Sequence, residues 1–215
     1  MKKIKKFLKK VRLEINKFNS KKRSKKILKQ NPTIISNNCY AGIIYEYLGL
    51  PFSSPTIGLL IYPGDYIKFC SNFDYYISKR LRFINFNDSH NKEEMIKRNQ
   101  QNSIIGILDD VEIVFLHYKT KDEAFNKWNR RCKRINKKCL IFKFNDQNGC
   151  TYDDLKMFNE LLYPNKICFT SHEYKEFNSC IWLKCDKKKN EVQKDYYTSH
   201  RYINIIDYIN RAKTK

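Results

Sequence analysis

The sequence predicts an α/β protein, a three-layer α/β/α arrangement around a mostly parallel central sheet. Three observations carry this. From Pro32 onward, short β-branched runs alternate with helical patterns. Asp109-Asp110 stands as a turn between two apolar runs, so one antiparallel hairpin is expected within the parallel order. Before Pro32 the composition is different, with 14 Lys or Arg and one acid in the first 30 residues. The organisation that follows is a basic extension over 1–31 and a single α/β domain over 32–215.

In chain order, residues 2–18 place Ile4, Phe7, Leu8, Val11, Ile15 and Phe18 on one stripe among lysines, which makes a basic amphipathic helix. Such a helix can lie on an anionic membrane surface, dock its stripe on its own domain, or contact nucleic acid. Residues 19–31 read as a solvated linker or a second basic turn. Strands are expected at 33–36, 56–62, 81–86, 103–108, 111–118, 139–145, 166–170 and 180–184. Helices are expected at 39–48, 64–79, 92–100, 121–136, 151–162 and 192–212.

The net charge of +21 suggests nucleic acid at first, but residues 1–30 carry +13 of it and the remaining 185 residues only +8. The aromatic residues follow core periodicity, so nucleic acid is not expected as a partner. Abundant Lys, Asn, Ile and Tyr with only three Ala is also the bias of AT-rich coding. No run approaches the length of a spanning helix and no apolar leader follows the basic start, so a cytoplasmic location is expected. The amphipathic helix adds peripheral contact with the inner face of the membrane. Eight cysteines without Cys-x-x-Cys or zinc-finger spacing predict reduced thiols and no metal.

The stretch "SNNCYAG", 36–42, leaves the first strand and enters the first helix after it. Asn37 or Asn38 suits an N-cap, and Cys39 then falls in the first turn. There the helix dipole lowers a thiol pKa, while Ala41 and Gly42 leave room for a substrate. The pattern partly matches a nucleophile elbow, with asparagine in place of the usual first glycine. A packed, inert cysteine is the alternative.

A nucleophilic thiolate needs a base. His117 ends the strand "VEIVFLHYK" and is the first choice, while His172, after "KICFT", is the second. His200, after the possible cap Ser199, falls in the first turn of the last helix, and His90 lies in a polar loop. Asp146 follows the strand "LIFKF" at its carboxyl end and is the candidate orienting acid. Asp109 and Asp110 are secondary candidates that serve equally as turn formers. Arg130, Arg131 and Arg134 flank the apolar stripe of one helix and suit the phosphates of a donor, with Asn37 and Asn38 at the helix entrance. A solvated basic face is the competing reading of the arginines. No Walker A loop and no G-x-G-x-x-G is present, which disfavours ATPase and simple dinucleotide chemistry.

The segments "ISNNCYAGIIYEYLGLPFSSPTIGL", "GILDDVEIVFLHYK", "KWNRRCKRI", "FKFNDQNGCT", "KICFT" and "SHRYINI" together resemble the bacterial family called domain of unknown function 1919. Members are often labelled exopolysaccharide or capsule biosynthesis proteins. The resemblance spans about 32–210 and implies a three-layer α/β domain working in cell-surface polysaccharide assembly. It implies no particular reaction and no catalytic residue. Joined to the residues above, it leads to the expectation of a transferase acting on a glycan or sugar substrate. The donor would carry phosphate, as an acyl coenzyme A thioester or a nucleotide sugar, and no cofactor would be tightly bound. Acyl transfer is favoured by the cysteine and by the absence of Asp-x-Asp. A cysteine hydrolase built on Cys39 and His117 and a non-catalytic membrane-surface scaffold are the alternatives.

Overall fold

A computed structural model describes residues 18–29 and 31–213, apart from the side chain of Cys185. The expected amphipathic helix over 2–18 lies outside the described residues except for Phe18. The described chain is α/β, as the sequence predicts.

Helix α1 covers 18–24, followed by β1 (Thr33–Ser36), α2 (Tyr40–Leu48), α3 (Pro63–Ser71) and α4 (Phe73–Ser78). Next come β2 (Arg82–Ile84), α5 (Lys92–Lys97), β3 (Ile104–Leu108), β4 (Val111–Phe115) and α6 (Lys121–Cys132). The chain continues through β5 (Leu140–Asn145), α7 (Tyr152–Glu160), β6 (Lys166–Thr170), β7 (Cys180–Trp182), α8 (Asp195–Thr198) and α9 (Ile205–Arg211). Strands β1-β5-β6-β7 form a fully parallel sheet. The antiparallel strands do not interrupt it, contrary to the sequence expectation; β2-β3-β4 form a sheet of their own. The reason lies in β4, which is buried on both faces. Val111, Ile113 and Phe115 enter the main core, while Val114 packs with Leu60, Tyr62, Met95 and Ile105 in a smaller one.

The parallel sheet separates two hydrophobic layers. Ile35, Phe142, Phe144 and Cys168 face α3, α4, α6, α7 and the antiparallel sheet. Ile34, Ile141, Ile167 and Phe169 face α2 and the C-terminal helix α9. Period-two alternation of β-strands assigns these sets to opposite faces.

Three expected elements differ for local reasons. The strand expected at 56–62 is reduced to a single bridge between Leu60 and Val114, because Gly58 takes a left-handed backbone (φ 75°). The helix expected at 64–79 breaks at Asn72, whose φ of −131° and ψ of 54° are not helical. The helix expected at 192–212 is interrupted after α8, and α9 starts only where Asn204 caps it through the N–H groups of Ile206 and Asp207. His200 therefore sits in a 3₁₀ turn at 199–201 and not in the first turn of the last helix.

The basic stretch 19–29, which reads from sequence as a solvated linker or a second basic turn, is helical to residue 24 and docked on the body. Arg23 Nε donates to the Tyr47 carbonyl, and Asn210 holds both Leu28 N–H and the Lys26 carbonyl. The seven cysteines with described side chains are free thiols.

Candidate active site

Strand β1 ends at Ser36, and α2 begins at Tyr40, so Cys39 occupies the capping position and not the first turn. Asn38 Oδ1 accepts the Tyr40 N–H at 3.0 Å, and Ser36 Oγ accepts that of Ala41 at 3.1 Å. These two amide groups at the helix end are satisfied from within the protein. The backbone of Cys39 (φ −67°, ψ 0°) is ordinary and unstrained, which removes the likeness to a nucleophile elbow. Ala41 is buried, and a side chain on Gly42 would meet Ile57 Cγ2 at 3.0 Å, so these small residues admit the 57–61 segment and not a substrate.

That segment joins the two sheets. Ile61 N–H donates to the Asn37 carbonyl beside the end of β1, and Leu60 exchanges two backbone hydrogen bonds of 2.8 Å with Val114 of β4. The Gly58 carbonyl receives the His117 N–H at 3.1 Å. The result places His117 Nε2 3.3 Å from Cys39 Sγ, hydrogen-bond distance for a sulfur–imidazole pair. Of the two histidines favoured from sequence, His117 is the one that meets the cysteine. His172 instead contacts Ser171 Oγ through Nδ1, and exposed His200 lines a groove along α2.

Gly58 helps fix the imidazole. A Cβ there would lie 3.4 Å from His117 Cβ, and the backbone is left-handed at φ 75°. Gly58→Ala is expected to destabilise by roughly 1–2 kcal/mol from the backbone alone, read as a lowered urea midpoint with unchanged slope.

Beneath the dyad lies a buried ionic network that sequence reading missed. Lys143 and Asp195 form an ion pair with both side chains fully buried. The Lys143 ammonium also donates to Asn38 Oδ1 at 3.0 Å and toward Asn37 Oδ1 at 3.4 Å, which gives its three hydrogens three acceptors. Asp195 accepts further from Asn38 Nδ2, from Asn145 Nδ2 at 2.8 Å and from Tyr196 N–H at 2.9 Å. Asn37 Nδ2 closes the ring by donating to Asn145 Oδ1 at 2.8 Å. Burial pulls the Lys143 amine below the ordinary lysine range, against the pull of Asp195. A signal for Lys143 did exist: "FKF" puts a lysine between two aromatics of a strand whose neighbours are all buried.

Asn37 and Asn38 therefore hold the floor of the site, and their amides are already engaged there. The thiol pKa is raised and not lowered as the helix position suggested. Burial pushes Cys39 up, the Asp195 carboxylate adds to it, and Lys143 opposes. Cys39 is thus a neutral thiol at neutral pH, and its activation falls to the adjacent imidazole. Tyr118 and Tyr196 stand nearby; burial raises both hydroxyls and the charge of a Cys39 thiolate raises them further.

The remaining candidates disperse. Asp146 is buried and accepts from Ser171 N–H, Ser171 Oγ and Val192 N–H at 2.6–2.7 Å, tying the ends of β5 and β6 to a later loop. Its oxygens serve that clasp, and burial raises its pKa. Asp109 and Asp110 lie in the β3–β4 turn, at the opposite end of β4 from His117, where they accept from Tyr75, Tyr76 and Lys68. Arg131 is buried and donates to the Ile57 carbonyl and the Tyr118 hydroxyl, a framing role behind the dyad. Arg130 and Arg134 are exposed.

Metal-ligating side chains converge at one place among the described residues: Asp65, His90 and Glu112. His90 is exposed, as its polar loop suggests, and its ring also bridges the two buried carboxylates, 2.8 Å from Asp65 and 3.1 Å from Glu112. Ser89, Asn91 and the His90 N–H complete the hydrogen bonding of those carboxylates. The cluster anchors the 85–91 loop as it stands.

An uncharacterized protein of Haemophilus influenzae is 29% identical over 208 residues, covering 93% of this chain and 95% of its own length. Residues 9–213 match the family described as Domain of unknown function (DUF1919). The chain belongs to the DUF1919 family.

Proposed function

We propose that the protein is a cysteine-dependent acyltransferase of cell-surface polysaccharide assembly, with Cys39 as nucleophile and His117 as general base. The observation that carries this reading is the 3.3 Å approach of Cys39 Sγ to His117 Nε2 across two sheets. A neutral thiol paired with an imidazole is the arrangement that delivers a thiolate only as it attacks.

In the first half-reaction His117 Nε2 takes the Cys39 proton while sulfur attacks the carbonyl carbon of a donor thioester. The tetrahedral intermediate expels the donor thiolate, which leaves with the proton held by His117. Cys39 then carries the acyl group as a thioester. In the second half-reaction His117 removes the proton of a glycan hydroxyl, the alkoxide attacks the thioester carbonyl, and Cys39 leaves as thiolate and is reprotonated. Exposed Arg130 and Arg134 are the guanidinium groups that can meet donor phosphates, Arg134 while donating one long bond of 3.5 Å to the Phe52 carbonyl, since Arg131 is committed to Tyr118 and Ile57. The glycan setting rests on the family resemblance and on nothing in the site. No helix among the described residues is long and apolar enough to cross a membrane. Contact with the inner membrane face is assigned to the basic N-terminal segment.

The same dyad performs hydrolysis if water replaces the hydroxyl. Incubation with acetyl coenzyme A, followed by intact-mass and peptide analysis, is expected to show an acetyl group on Cys39 and none in Cys39→Ala. Turnover of that adduct only when an oligosaccharide is added marks a transferase, and turnover in buffer alone marks a hydrolase. An unmodified Cys39 after exposure to a series of acyl thioesters overturns both.

A further inference from the structure

Along α2, on from Tyr196, runs a groove of about 820 Å³ that contains neither Cys39 nor His117, within the size range of small-molecule sites. Its walls are apolar: Ile43 and Ile44 of α2, Tyr197, and Ile203 and Ile206 from the start of the C-terminal helix region. At one end stand Arg23 and Lys26, from a segment (20–29) with six basic residues and no acid. His200 and Asn204 add polar atoms, and no Asp or Glu lines the groove. Arg23 is held in place by its hydrogen bond to the Tyr47 carbonyl and by its stacking 4.0 Å over the Tyr47 ring. Lys26 is exposed, and its backbone is pinned by Asn210. A preset basic end joined to an apolar trough is complementary to one chemistry, a hydrocarbon chain with an anionic head.

We infer that this groove binds a single anionic lipid, its alkyl chain lying between α2 and the 203–206 segment and its phosphate headgroup meeting Arg23 and Lys26. The inference stands apart from the chemistry of Cys39. It does give the docking of residues 18–29 on the body a purpose, because that segment supplies the charged end of the site.

The test is calorimetric titration of the full chain with dodecyl phosphate, kept below its micelle concentration, beside hexyl phosphate, inorganic phosphate and a neutral dodecyl glycoside. Each buried methylene strengthens binding about fourfold. Dodecyl phosphate is therefore expected to bind at least a hundredfold more tightly than hexyl phosphate, and inorganic phosphate not measurably. Lys26→Glu, a surface change, is expected to weaken dodecyl phosphate at least fivefold with an unchanged melting temperature. Ile206→Asn, checked for folding by its melting curve, is expected to erase the chain-length dependence. Cys39→Ala is expected to bind as the unaltered chain does, whatever the fate of the acyltransferase reading. Equal affinity for the two alkyl phosphates overturns the site, as does equal affinity for the neutral glycoside. Binding to phosphatidylglycerol vesicles without binding to monomeric dodecyl phosphate also overturns it, and assigns the basic segment to the bilayer surface instead.

Discussion

Replacing Lys143 by methionine is expected to destabilise the protein by about 3–5 kcal/mol, the usual consequence of leaving one member of a buried ion pair alone. Asp195 would then be a fully buried carboxylate with amides as its remaining partners. Converting the pair to Met and Leu together is a poor remedy here, although such swaps are often neutral elsewhere. Asn37, Asn38 and Asn145 would each lose a charged partner and keep buried amide groups to satisfy. Asp195→Asn adds a signature in pH. Lys143, whose pKa burial already lowers, would lose the carboxylate that opposes the shift. The unfolded chain then binds more protons at this lysine than the folded one, so stability rises as pH climbs toward the unfolded lysine value near ~10.4. Urea denaturation at pH 6, 8 and 10 measures the slope. A flat profile would show that Lys143 keeps its proton without Asp195.

The second large effect concerns rate. On the proposed function, His117→Ala is expected to slow acyl transfer by about 10²–10⁴ at neutral pH, the range for loss of a positioned base. Cys39→Ala leaves no nucleophile and is expected to abolish the covalent intermediate. Because the Cys39 pKa is raised, the His117→Ala rate should climb nearly tenfold per pH unit until the thiol ionises above the ordinary thiol range. Iodoacetamide labelling reads the same quantity without a substrate. If His117→Ala labels and turns over as the unaltered protein does at pH 7, the imidazole is not the base.

Much of the architecture was legible before the structure. The strand at 166–170 falls where its apolar run falls, and the strand at 33–36 does too, because runs bounded by polar turns leave little freedom. The helix entered after "SNNC" is also found, one residue late. Segment 56–62 was not legible, since it contains a β-branched pattern yet functions as a connector between sheets. Within the site, Cys39 and His117 were identified as residue types in suitable places, and His117 was preferred for its place at a strand end. Asp195 could not be read, because a first-turn acid looks the same whether solvated or paired with a lysine 52 positions earlier. Lys143 was overlooked among 43 basic residues, although its place between Phe142 and Phe144 distinguishes it from the rest.

The stitch at 57–61 has a kinetic meaning. Cys39 and His117 are 78 residues apart and follow the ends of β1 and β4, strands of different sheets that meet through this strip. Neither sheet brings the pair together on its own, so the contact between Cys39 and His117 arises late, after each sheet has formed and the long loop between them has closed. A newly made or partly unfolded chain would carry the cysteine without its base. Its thiol would then lose both the burial that raises its pKa and the imidazole beside it, and would ionise in the ordinary thiol range.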